Sequence, residues 1–176
     1  MKKNSVFYTS NRLNLLFAAS ILLAISLGCN FNAGTGDFAK PDMPSPEQQN
    51  ALVKQTLKDF TKAIDSGDFS SIMSGASKEF QSATSADKLK SGMQGMIDNK
   101  GVLVPIMQSA DSKTPQFSTP PEIKEESSSY TMQYAGSFPT DPFKTYFDFK
   151  YVWRDSQWKL LAVRVYFDSD KDKTSQ

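Results

Sequence analysis

A chain of 176 residues with 20 basic and 19 acidic side chains, one cysteine and no histidine is long enough for one ordinary domain. Its near-neutral charge excludes the basic surface that nucleic acid would require. The missing histidine excludes Ser-His-Asp and Cys-His nucleophile systems and His-based zinc sites, and a lone cysteine excludes a disulfide framework.

Lys2, Lys3 and Arg12 precede an apolar run from Leu15 to Ile25, which closes in Ser26-Leu27-Gly28-Cys29. A positive end, a short apolar core and a small-residue cleavage site follow the order of a secretory leader. The run is shorter than the ~20 residues of a permanent span, so a cleaved leader over 1–28 is expected. Gly28-Cys29 resembles the end of the lipobox of bacterial lipoproteins, although Ser26 and Leu27 stand in swapped order. That resemblance implies cleavage before Cys29, a diacylglyceryl thioether on its sulfur and usually an N-acyl chain. Two or more chains hold a protein stably on a bilayer. The swapped order leaves ordinary signal peptidase as the alternative, reading the small Ser26 and Gly28. The expected location is the cell envelope, on the extracytoplasmic side of a membrane. In a Gram-negative cell it would be the outer membrane, because Asn30 stands where some inner-membrane lipoproteins carry Asp.

Residues 29–44 mix Asn, Gly, Thr, Asp and Pro without periodicity and read as a lipidated tether. A coil of this length spans roughly 20 Å root-mean-square. Ser45-Pro46-Glu47-Gln48 then carries a capping-box pattern, and Val53, Leu57, Phe60 and Ile64 form one helical stripe that ends at Gly67. A short second helix is expected over Asp68 to Met73, capped by Asp68, followed by a loop containing Phe80. Ser85 caps a third helix with the buried stripe Leu89, Met93, Met96 and Ile97. Val102 to Met107 is broken by Pro105 and is expected as an edge element or a packed loop.

From residue 115 the apolar period becomes two. An edge strand near 116–125 contains Pro120-Pro121. Tyr130, Met132, Tyr134 and Phe138 alternate with polar residues, as do Phe143, Phe147, Phe149, Tyr151 and Trp153. In the last strand Trp158, Leu160 and Ala162 share one face, with Leu161, Val163, Val165 and Phe167 on the other. Pairing through Asp155-Ser156 sets Trp153 against Trp158, Phe147 against Arg164 and Thr145 against Tyr166. Pairing through Pro139 to Pro142 sets Phe138 against Phe143, Tyr134 against Phe147 and Met132 against Phe149. The domain spans 45–168, and 169–176 reads as a charged, disordered tail. The fold class is α+β, with N-terminal helices in the concave face of a curved antiparallel sheet of about four strands.

Two stretches carry a family resemblance. Ala63-Ile64-Asp65-Ser66-Gly67-Asp68-Phe69 resembles the end of the first helix in nuclear-transport-factor-2-like (cystatin-like) domains. Trp153-Arg154-Asp155-Ser156-Gln157-Trp158-Lys159-Leu160 resembles their closing hairpin. The resemblance implies a cone of sheet around the first helix, often with a cavity at its wide end.

Ser85-Ala86-Asp87-Lys88 matches the Ser-x-x-Lys of penicillin-binding enzymes, but its partner motifs are missing and Ser85 reads as a cap. Asp168, Asp170 and Asp172 alternate like cation ligands, yet Lys171 and Lys173 interleave them and no turn glycine follows. No cofactor or metal site is expected. Asp148, the one strand-centre carboxylate, falls opposite the aromatic face and reads as a surface ion-pair group. The leading expectation is a non-enzymatic, membrane-anchored module that binds a ligand or protein. The alternative is an isomerase- or dehydratase-like cavity enzyme of the same superfamily. The expected partners are a membrane through Cys29, a second copy through the outer sheet stripe of Leu161, Val163, Val165 and Phe167 (unless a loop such as Val102 to Met107 buries that stripe), and a small anionic or lipid ligand. That ligand would lie in a pocket of Tyr130, Tyr134, Phe147, Phe149 and Arg164, oriented by the guanidinium; the alternative is that Arg164 pairs with a helix acid such as Asp59 or Asp65, or lies exposed at the sheet rim.

Overall fold

The structure, a computed structural model, describes residues 39–167. The expected leader, Cys29, most of the tether and the tail lie outside the described residues.

The first helix, α1 (Pro46–Ser66), starts as its sequence dictates. Ser45 Oγ accepts from the Gln48 amide and Gln48 Oε1 accepts from the Ser45 amide at 2.8 Å, satisfying two orphan donors reciprocally. It ends at Gly67, whose left-handed φ of 71° lets its amide donate to Ala63 O. Val53, Leu57, Phe60 and Ile64 are the stripe it buries.

Helix α2 (Ser70–Gly75) follows, with Asp68 Oδ1 accepting from the Ser70 amide at 2.9 Å. The expected loop around Phe80 is instead helix α3 (Lys78–Ala83). Ser77 Oγ accepts from the Phe80 amide, and Phe80 is the one ring that six residues need to anchor them. So short a helix shows no period in the sequence. The expected third helix is two, α4 (Ala86–Gly92) and α5 (Gln94–Asp98), broken at Met93. Ser85 caps α4 as anticipated. The stripe Leu89, Met93, Met96 and Ile97 packs on the core but is only half-buried.

The segment expected as an edge element or a loop is also a helix, α6 (Lys100–Ser109), with Pro105 inside it. Proline in a helix costs about 3 kcal/mol. Val104, Ile106 and Met107 are all buried, and each contributes about 1.5–3 kcal/mol, so burial outweighs the proline. The ring itself points to solvent. Lys100 Nζ donates to Asp65 O, supplying the cation that the last turn of α1 lacks.

The sheet comprises β1 (Gln116–Phe117), β2 (Ile123–Glu126), β3 (Ser129–Phe138), β4 (Thr145–Arg154) and β5 (Gln157–Phe167), all paired antiparallel. Both β1 and β2 pair with the same side of β3, so the edge is one strand broken at Pro120-Pro121, where the sequence placed it. The sheet is curved and unclosed, with the helices N-terminal to it, so the fold is α+β as expected. β1 lies so close over Gly136 that a Cβ there would sit 2.2 Å from Gln116 O. Two-residue turns close the β2–β3 and β4–β5 hairpins, with Ser127, Ser128, Asp155 and Ser156 all at positive φ.

Two registers differ from expectation. Between β3 and β4, Tyr134 opposes Phe149 and Phe138 opposes Thr145, a two-residue offset. The connecting loop is longer than a tight turn, held by Thr140 Oγ1 donating to Phe143 O and sharing a hydrogen bond with Thr145 Oγ1. An even offset keeps every side chain on its face. The β4–β5 difference is more consequential. Trp153 opposes Trp158 and Tyr151 opposes Leu160 as expected, but beyond them Lys150 opposes Ala162 and Asp148 opposes Arg164. Leu161 is an extra residue, a β-bulge, and it exchanges the faces of everything after it. Val163, Val165 and Phe167 therefore turn inward and join the core, while Ala162, Arg164 and Tyr166 turn outward.

The inner face then reads as rows across the strands. Ile123, Met132, Tyr151 and Leu160 make one, and Tyr134, Phe149 and Val163 the next. Phe117, Gly136, Phe147 and Val165 make a third. Helix α1 covers these rows, its Thr56 Oγ1 hydrogen-bonded to Tyr151 OH at 2.7 Å.

Candidate functional site

The five residues expected to line a pocket do not come together. Tyr134, Phe147 and Phe149 meet, but as core, at 1%, 0% and 0% exposure. Their rings pack on Phe117, Phe138 and Tyr151 with centroids 5.3–6.1 Å apart, the spacing of favourable aromatic pairs. Tyr134 OH donates to Met132 Sδ at 3.0 Å. Burial pushes the Tyr134 and Tyr151 phenols well above the ordinary tyrosine range, so both remain neutral hydrogen-bonding groups. Arg164 is exposed on the outer face, opposite Asp148 rather than Phe147. The register that was to carry it inward is the one the Leu161 bulge breaks. Tyr130 is half-buried at the far end of β3.

A recess of about 80 Å³ opens between α1, α2 and β5, lined by Thr56, Asp59, Phe60, Ser71, Ile72, Gly75, Leu160 and Val163. That is room for a few waters at about 30 Å³ each, against 300–1,000 Å³ for ordinary ligand sites. Asp59 on its rim accepts from Gln55 Nε2, and the Thr56 hydroxyl is engaged by Tyr151.

The outer face carries mostly polar side chains, with Thr131 and Val152 buried on it. Gln133 Nε2 donates to Asp148 Oδ1 at 2.6 Å, and Lys150 pairs with Glu126 at 2.6 Å. Lys150 also draws the Glu126 carboxyl below its ordinary range. Tyr146 and Tyr166 stack at 5.1 Å and 9°. Of the apolar stripe that carried the expectation of a sheet-mediated second copy, Val163, Val165 and Phe167 face inward instead and Leu161 is the bulge.

The residues that sequence reasoning did not assemble form the end row of the inner face. Glu125 opposes Tyr130 and Trp153 opposes Trp158. The β3–β4 register, one step past Thr131–Val152, sets Tyr130 level with Trp153. The neighbouring row is closed, with Met132 and Tyr151 at 1% exposure, whereas Tyr130, Trp153 and Trp158 are half-buried and Glu125 is exposed. Trp158 packs partly on the core, and the two indoles meet at 5.2 Å and 61°. The Trp153–Trp158 pairing was legible from the hairpin. Tyr130 and Glu125 needed the β2–β3–β4 register.

On the opposite face, Arg154 binds Glu79 at 2.7 Å, Ser129 Oγ and the Trp153 carbonyl. The first turn of α3 and the Arg154 guanidinium hold the Glu79 carboxyl below its ordinary value, with the backbone hydrogen bond contributing most. Among the described residues, no group of three or more Asp, Glu, Cys or His is placed to hold a metal ion, and no helix is long and apolar enough to cross a membrane. Ser85 of the Ser-x-x-Lys match accepts from the Lys88 amide as a cap.

No family model, no curated protein and no solved structure matches the chain.

Proposed function

We propose that the chain is a lipid-anchored envelope protein. Cys29 carries the anchor at the mature N-terminus, and a cystatin-like α+β domain acts as a non-enzymatic binding module on the extracytoplasmic side. The observation that carries this reading is the order of Lys2, Lys3 and Arg12, the apolar run and Gly28-Cys29. Two features of the domain fit it. The capping box at Ser45 begins the fold well past Cys29, leaving chain enough for a tether. The centre of the inner face, where a cavity acid–base pair would work, is filled by Tyr134, Phe147 and Phe149, so binding falls to the periphery of the sheet.

Growth with a clickable palmitate analogue tests the anchor. The native chain should take up label and partition into detergent. Cys29→Ser should do neither. Equal labelling of both would overturn the reading.

A further inference from the structure

The end row of the inner face is half-open where its neighbouring row is closed, and the end row concentrates one chemistry. Tyr130, Trp153 and Trp158 lie side by side on adjacent strands, and Glu125 ends the row. An aromatic ring face is electronegative, and a cation within about 6 Å of the centroid is attracted to it, most strongly by Trp. Glu125 adds a full negative charge, and it has neither ion pair nor hydrogen bond among the described residues. The nearby cations are committed elsewhere. Arg154 binds Glu79, Lys159 binds Asp155 and Lys124 binds Glu122, and strand alternation places all three on the other face. The row is thus a half-open aromatic shelf with a carboxylate at one end and, among the described residues, no cation of its own.

We propose that this row is a binding site for a small organic cation, a quaternary or primary ammonium group. The ammonium lies over the indoles of Trp153 and Trp158 and against the Tyr130 ring, with the Glu125 carboxylate as its counter-charge. Half-burial of the rings lets a compact head group displace water from them while the carboxylate stays solvated. A flat apolar ligand would gain the rings but nothing from Glu125; an anion would be repelled by both. The inference names the ligand class of the binding module proposed above and does not depend on the anchor. The palmitate experiment can therefore fail without touching it, and the reverse.

The chain contains two tryptophans, and both are in this row, so intrinsic fluorescence reports on the site directly. The experiment titrates the full chain in detergent with tetramethylammonium chloride, against sodium chloride at matched ionic strength. A saturable change with tetramethylammonium and none with sodium is expected. Glu125→Gln and Tyr130→Leu, both at exposed or half-buried positions, should each weaken binding by about five- to tenfold. Far-ultraviolet dichroism should show both variants folded. No saturable change, the same change with sodium, or an unaltered affinity in both variants would overturn the proposal. So would binding seen only with choline-headgroup vesicles and not with tetramethylammonium, because the shelf is proposed to take the free cation.

Discussion

The Leu161 bulge decides which residues of β5 are core, and paired substitutions at adjacent positions measure it. With the bulge, Val165 lies inward opposite Phe147 at 5% exposure, and Arg164 lies outward. Without it the two would exchange faces. Val165→Ala removes two methyl-sized groups, about 1.6 kcal/mol of transfer free energy at ~0.8 kcal/mol each. Phe147 and Phe149, both fully enclosed, cannot collapse freely into the space, so a cavity contribution brings the loss to about 2–3 kcal/mol. For a domain of this size that lowers the Tm by about 10 °C. Arg164→Ala removes an exposed side chain with no ion pair among the described residues and should stay within about 0.5 kcal/mol. Urea unfolding of the chain without its leader, followed by tryptophan fluorescence, gives both numbers at an unchanged m value. If Arg164→Ala proved as costly as Val165→Ala, or Val165→Ala were silent, the bulged register would be wrong.

Other consequences are as direct. Ser156→Gly should raise stability by about 1 kcal/mol in thermal unfolding, because Ser156 holds φ at 58°, a left-handed conformation that costs a non-glycine residue about 1–2 kcal/mol. Gly136→Ala should destabilise strongly and free β1, since its Cβ would meet Gln116 O at 2.2 Å; hydrogen exchange at Phe117 and Ser118 would then rise. Tyr151→Phe loses the part-buried 2.7 Å hydrogen bond to Thr56 at the edge of the core, a cost of about 1 kcal/mol in urea unfolding. The Glu79 carboxyl titrates below its unfolded value of 4.5 in the fold. Its contribution is therefore fully present above that pH and lost as pH falls through the folded value. Glu79→Gln should flatten the acid limb of the stability profile slightly, the pair being partly solvated.

The legible parts of the fold are those with a long-range period or a specific cap. The capping box at Ser45, the stripe of α1, the Ser85 cap and the apolar alternation of β3 and β4 were all visible in the sequence, because backbone geometry imposes those patterns locally. Helix α3 was not visible, since six residues held by one cap and one ring have no period. Helix α6 was hidden by Pro105, where the burial of Val104, Ile106 and Met107 overrides a local penalty. The bulge was hidden for a sharper reason. The run from Leu160 to Val163 is apolar at every position, so alternation gives no parity there, and a single extra residue turned Arg164 from pocket to surface. That one slip removed Arg164 from the expected ligand pocket and turned the expected outer apolar stripe inward; the rest of the pocket was lost to core packing of Tyr134, Phe147 and Phe149. The end row survived it because Trp153 and Trp158 lie on the turn side of the bulge.

The anchor at Cys29 is the central claim, and the mass of the N-terminal peptide of protein purified from membranes tests it most directly. A peptide that begins at Cys29 and carries a diacylglyceryl thioether is expected. An intact leader, or a peptide with an unmodified Cys29 thiol, would contradict it.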